Sequence, residues 1–194
     1  MHITAKKKGA YGINLIRTKR LLLFPSNSKL APAVLSYLQK GRPFLNRFEP
    51  KGSDAYYTIE TQRAGLRQDA TRAAEKSGFR FWLVKIEEPN IIIGTVSLSN
   101  IVYGAFWSCH LGYKCSAEQQ GKGYTAEAAE AVCAFAFEEL GLHRIEANIM
   151  PENTASLRVV EKLGFTPEGL AKQYLNINGV WEDHIHMVKL APDK

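Results

Sequence analysis

Gln120-Gly121-Lys122-Gly123-Tyr124-Thr125 is the stretch on which the reading of this 194-residue chain turns. Upstream stands a strand-like run from Ser108 to Cys115, and downstream an apolar-periodic helix that ends near Leu140. A strand, a glycine loop and a helix in that order point several backbone N–H groups at one spot, at the positive end of a helix dipole. Such a spot binds phosphate without help from a basic side chain. The two glycines matter because a Cβ would hold an anion away from the loop backbone. A phosphate-bearing ligand is therefore expected here.

Two nucleotide motifs fail against this loop. A P-loop needs Lys-Ser/Thr after its last glycine, and Gly123 is followed by Tyr124. A Rossmann fingerprint would accept Ala126 as its third small residue. However, the loop lies two-thirds of the way along a chain with no second nucleotide-binding half. What fits is the Gln/Arg-x-x-Gly-x-Gly/Ala loop of the GNAT superfamily of N-acetyltransferases, which this stretch resembles. Gln120, Gly121, Lys122 and Gly123 match directly, and Thr125 holds the small last position. About 30 residues on, Asn153-Thr154-Ala155-Ser156 and Lys162-Leu163-Gly164-Phe165 resemble that superfamily's second signature. The likeness runs from Thr18 to Leu190. Ser99 to Val102, Gly104 to Phe106 and Trp181 to His184 narrow it towards the ribosomal-protein-alanine (Rim-type) N-acetyltransferases.

The resemblance implies a site. Acetyl-CoA would enter a V between two parting parallel strands, its pyrophosphate on Gln120 to Thr125, Tyr124 included. Its pantetheine arm would pair with backbone groups of Leu111, Gly112, Tyr113, Lys114 and Cys115. A backbone N–H near Tyr113 would face the thioester carbonyl and stabilise the oxyanion that develops on attack. Asn153 would hold the pantetheine amide, and Ser156 would donate a proton to the departing thiolate. The plain alternative for this pair is a helix N-cap and a helix-surface serine. Glu49, stiffened between Phe48 and Pro50, is the candidate base, with Glu182, Asp183 and His184 as rivals. Strand alternation puts Asp183 opposite to Glu182 and His184, which argues against a His–Asp pair. The glutamate that one related alanine acetyltransferase type uses as base aligns with Leu175 and does not carry over. His110 and His143 read as structural. Cys115 has no base or cation cluster beside it in the sequence, so direct transfer is expected and not a covalent acetyl-cysteine.

Composition agrees with one ordinary globular domain, 45% hydrophobic and 23% charged. No apolar run approaches the roughly 20 residues that span a bilayer. Met1 to Lys8 has no apolar core after its charges, so a signal peptide is not expected there and a cytoplasmic setting is. Three cysteines, Cys109, Cys115 and Cys133, fit no metal template. The net charge of +6 allows contact with an acidic partner such as ribosomal RNA, although a generic basic surface is the plainer explanation.

The elements follow from period and turn residues. Residues 1–17 read as an arm and 18–190 as a single domain. Strands are expected over 18–24, 79–86, 91–98, 105–115, 143–150, 171–177 and 180–190. Helices are expected over 28–39, 53–76, 124–140 and after Asn153. Two prolines make 42–50 a loop, and Asn178-Gly179 is a hairpin turn. Tyr103, Phe106, Trp107 and Trp82 read as core or pocket wall. The result is an α+β fold, a central mixed sheet splayed near Cys115 and His143, with helices on both faces. Three functions remain: N-terminal acetylation of a ribosomal protein's alanine, acetylation of a small-molecule amine such as a polyamine or aminosugar, or a weakly catalytic acetyl-CoA-binding ribosome-assembly factor.

Overall fold

The computed structural model describes residues 14–45 and 48–192. Lys6 to Lys8 and most of the expected N-terminal arm lie outside the described residues. One eight-stranded sheet organises the chain, in the order β1-β2-β3-β4-β5-β6-β8-β7. The strands are β1 (Ile16–Arg17), β2 (Leu21–Pro25), β3 (Phe79–Lys85), β4 (Glu88–Val102), β5 (Ser108–Cys115), β6 (Arg144–Ile149), β7 (Thr166–Ile177) and β8 (Val180–Leu190). Only β5 and β6 run parallel, so the sheet is mixed as expected. The end of the expected arm, Ile16–Arg17, is itself a sheet strand, and Ile16 is buried.

Alternation along the strands builds two cores. Leu21, Leu23, Phe81, Leu83, Val96 and Ile145 pack on α3 (Tyr124–Glu138) and α4 (Thr154–Lys162). Trp82, Val84 and Ile92 turn the other way, onto α1 (Ala31–Leu45) and α2 (Ile59–Ala74). Helix α3 carries alanines at Ala126, Ala128, Ala129, Ala131 and Ala136, all buried, which lets it lie close to the sheet.

Other expectations need correction too. The helix expected to stop at Gln39 runs to Leu45, through Pro43. A mid-helix proline removes one hydrogen bond. However, Val34, Tyr37, Leu38 and Gly41 recur at helical spacing and are all buried, so packing carries the helix past it. Strand β7 starts at Thr166, not Ala171, because it bulges between Ala171 and Leu175, where Gln173 takes φ +50°. Tyr103, Phe106 and Trp107 are exposed, whereas Trp82 is core as expected. Gly104 at φ +73° and Trp107 at φ +44° break the strand alternation that would have turned those rings inward.

The splay is present, but at a different height. Strands β5 and β6 pair only through Ser108–Arg144, Cys109–Ile145 and His110–Glu146. Being parallel, they join at the His143 end and part beyond His110 and Glu146.

Candidate active site

The parting strands leave a cavity of about 560 Å³. Backbone direction around it can be read from two hydrogen bonds. Ser116 N–H donates to Ile93 O of β4 at 2.9 Å, and Trp107 O accepts from His143 N–H at 2.7 Å on the β6 side. Backbone groups of a strand alternate between its two neighbours. Both anchors turn the odd-numbered residues of β5 towards β6. Where β6 departs, the N–H and C=O of Tyr113 and Cys115 therefore point into the gap, with Leu111 at its start. This is the edge at which an extended ligand could add as a strand.

The cavity is lined from both faces of the sheet. From the α3/α4 side come Gln120, Gly121, Thr125, Asn153, Ser156 and Val159. From the α1/α2 side come Phe44, Phe48, Glu49, Lys114, Asn148 and His184. All five residues Leu111 to Cys115 form its edge. Of the expected loop residues, Lys122, Gly123 and Tyr124 stand outside this lining. Gly123 is the N-cap of α3 at φ +79°, and Gly121 lies at φ +71°. No atom stands within 4 Å of where a Cβ on Gly121 would be. Gly121 and Gly123, one residue apart and both left-handed, turn the loop at the N-terminus of α3, the kind of place where backbone N–H groups can receive an anion.

A group far away in sequence braces that loop. Arg20 Nη1 donates to Lys122 O at 2.9 Å, and its guanidinium lies 4.4 Å from the centre of the Tyr124 ring. Glu127, in the first turn of α3, accepts from Thr18 Oγ1 at 2.7 Å, Arg20 N at 2.8 Å and Arg20 Nε at 2.6 Å. Burial pushes the Glu127 carboxyl up, but these donors together hold it below the usual carboxylate range. No sequence spacing links residues 107 apart, so Arg20 and Glu127 were not among the expected residues. An acid in a helix's first turn was the one available hint.

Helix α4 has the N-cap geometry, on residues that also line the cavity. Asn153 Oδ1 accepts from Ser156 N–H at 3.2 Å, which leaves the Asn153 Nδ2 to donate elsewhere. Ser156 O accepts from Tyr113 Oη at 2.8 Å. Ser156 is thus pinned through its backbone at both ends, with its hydroxyl on a residue that lines the cavity. Burial pushes the Tyr113 phenol well up, so it stays a neutral donor. Burial likewise raises the Cys115 thiol, a shift that a hydrogen bond with Thr125 only partly offsets. A thiol held protonated is a poor nucleophile, in keeping with direct transfer.

On the other side, Glu49 lines the cavity as expected, and Lys114 Nζ stands 2.5 Å from its Oε2. The loop that carries it is clasped by the β7–β8 hairpin. Asn178 Oδ1 accepts from Lys51 N–H at 2.7 Å, and Asn178 Nδ2 donates to Glu49 O at 3.3 Å. Asn178 (φ +55°) and Gly179 (φ +94°) make the two-residue turn that their sequence signals. Asn178→Gly keeps a residue suited to positive φ but loses both bonds, each worth about 0.5–1.5 kcal/mol. Its acceptor KM should rise about five- to tenfold, with acetyl-CoA affinity unchanged by titration and Tm lowered by a few degrees in a thermal melt. Of the rivals, Asp183 Oδ1 accepts from Gln173 N–H at 2.8 Å, away from the cavity, while His184 lines it and is buried. His110 and His186 sit beside Glu146, which also accepts from Arg144.

Comparison with known proteins accords with this geometry. Residues 20–166 match the family model described as an acetyltransferase (GNAT) domain. A probable N-acetyltransferase of Bacillus subtilis, YjcK, is 37% identical over 179 residues, covering 92% of this chain and 98% of that protein. The [ribosomal protein uS5]-alanine N-acetyltransferase of Escherichia coli is 34% identical over 178 residues, covering 92% and 91%. Among solved structures, the ribosomal-protein-S5-alanine acetyltransferase of Vibrio fischeri superposes with a TM-score of 0.86 at 37% identity, covering 91% of this chain and 96% of that one. With its split sheet, glycine loop and Asn153–Ser156 helix, this chain belongs to the GNAT family of N-acetyltransferases.

Proposed function

We propose that this protein transfers an acetyl group from acetyl-CoA directly to the α-amino group of a protein beginning with a small residue, in particular the N-terminal alanine of a ribosomal protein. One observation carries this reading: a single cavity joins the phosphate-type loop and α4 on one face of the sheet to Glu49, Asn148 and His184 on the other. The relatives that act on ribosomal-protein alanine, and a Mycobacterium smegmatis structural neighbour that holds a CoA-disulfide, support both substrates.

The roles follow from placement. Gly121 and Gly123, in the loop from Gln120 to Thr125, receive the pyrophosphate, with Arg20 bracing the loop from beneath. The Tyr113 and Cys115 backbone groups pair with the pantetheine arm, and the Tyr113 N–H stabilises the oxyanion. Asn153 Nδ2 donates to the arm, and the Ser156 hydroxyl donates to the leaving sulfur. Glu49 stands at the acceptor side as the carboxylate that attracts the ammonium.

The cavity falls within the about 300–1,000 Å³ of ordinary small-ligand sites, so of a protein only a chain end or one side chain can enter. Chemistry favours the α-amine. At pH 7 about one α-amino group in ten is neutral, against well under one lysine side chain in about a thousand. The test is thiol release from acetyl-CoA with alanine-, serine- and methionine-starting peptides, lysine-containing peptides with blocked N-termini, polyamines and aminosugars. Alanine- and serine-starting peptides should be the best acceptors. Ready acetylation of spermidine with indifference to the peptides would replace this reading with the small-molecule one.

A further inference from the structure

The chemistry needs an acceptor for the proton that the incoming ammonium must lose, and Glu49 is already engaged by Lys114. A second candidate lies deeper. His184, on β8, is 4% exposed and lines the cavity. Its Nδ1 stands 3.0 Å from the Glu182 carbonyl oxygen of its own strand. A carbonyl oxygen only accepts, so Nδ1 carries the hydrogen, and a neutral ring then keeps its lone pair on Nε2. Asn148, on β6, shares this face of the sheet. It is opposite His186 in the register, and His184 follows two residues along. The Asn148 Nδ2 lies 3.5 Å from Tyr174 Oη, and the Tyr174 ring leans on the His184 ring with centroids 5.6 Å apart. The Asn148 Oδ1 is buried, lies on a residue that lines the cavity, and has no hydrogen-bond partner among the described residues. A buried amide oxygen left unpaired calls for a donor from outside the chain.

We propose that His184 Nε2 takes the proton of the acceptor ammonium, while Asn148 Oδ1 accepts a hydrogen bond from the same nitrogen. Both atoms are acceptors, which suits an ammonium, a group that can only donate until it loses a proton. R–NH₃⁺ gives one proton to His184 Nε2, and the freed lone pair forms the C–N bond at the thioester carbon. The C–S bond then breaks, the second amine proton passes to the coenzyme sulfur, and Ser156 bridges that transfer. His184 returns its proton to solvent. The net products are the acetylated amine, free thiol and one proton. The neighbouring His186 has a different position, beside Glu146, and Glu146 already accepts from Arg144.

This inference rests on the acetyl-transfer reading above, and the experiment separates the two. The decisive variant is His184→Asn, whose amide N–H can still donate to the Glu182 carbonyl while nothing replaces Nε2. Its kcat with an alanine-starting peptide should fall about 10²-fold, with Tm and acetyl-CoA affinity unchanged and acceptor KM within about threefold. Added imidazole should restore part of the turnover of His184→Ala, which a purely structural histidine would not predict. Asn148→Ala should raise the acceptor KM about tenfold and spare acetyl-CoA affinity. Glu49→Gln should cost less than His184→Asn. Should His184→Asn lower the Tm, His184→Gln is held to the same criterion. Wild-type protein inert towards every amine would sink the transferase reading. Active wild type together with a His184→Asn variant above a third of its kcat would sink the His184 assignment alone.

Discussion

Gly123→Val is expected to weaken acetyl-CoA binding more than 10²-fold in calorimetry, the equivalent of about 2.7 kcal/mol. The loop's proposed phosphate affinity rests on backbone N–H groups at the start of α3, and a side chain at its N-cap meets the Arg20 guanidinium, with a Cβ 3.5 Å from Nη2, and so disturbs the brace that holds those groups in place. An exposed turn suggests by itself that the fold would not notice. The conformation says otherwise, because Gly123 sits at φ +79°. A β-branched residue forced into that region costs about 1–2 kcal/mol, which lowers Tm by about 2–8 °C in a domain of this size. Gly123→Asn separates the two effects, since asparagine tolerates the left-handed region far better. The asparagine variant should keep its Tm and still lose most of its affinity. If it bound acetyl-CoA as tightly as wild type, the phosphate assignment of the loop would fail.

Ser156→Ala is expected to lower kcat and kcat/KM together by about 10²-fold, with acetyl-CoA affinity unchanged. The hydroxyl is needed when sulfur departs, not when the cofactor docks. The backbone of Ser156 is what Tyr113 and Asn153 hold, so alanine leaves that framework in place. Asn153→Ala makes the contrast. It should weaken both binding and turnover and also cost about 1 kcal/mol of stability, because its Oδ1 is the N-cap of α4. Full activity of Ser156→Ala in single-turnover measurements, where chemistry limits the rate, would rule out its role as proton donor.

The features legible in the sequence were those written locally. The glycine loop between strand and helix, the Asn153 to Gly164 helix and the Asn178-Gly179 turn each depend on a few adjacent residues, and all three stand where they were expected. What could not be read is through-space. Arg20 meets Glu127 across 107 positions, and Asn178 reaches Glu49 across 129. No periodicity encodes such pairings. The persistence of α1 through Pro43 is a case of tertiary burial outweighing a local breaker. The exposed Tyr103–Trp107 pair is the converse, where two positive-φ residues defeat an inward-facing pattern. For His184, alternation correctly separated it from Asp183. Only the Glu182 carbonyl contact fixed which of its nitrogens is left over.

A cavity lined from both faces of the sheet also constrains the traffic of substrates. On the proposed reading the nucleotide would arrive along α3 and α4 and the amine from the α1 side, and they would meet only where the strands part. Neither would then block the other's route, so either could bind first and either product could depart first. Initial rates at varied concentrations of both substrates should therefore give intersecting and not parallel double-reciprocal plots. Free CoA should compete with acetyl-CoA and leave the acceptor peptide's own affinity nearly untouched.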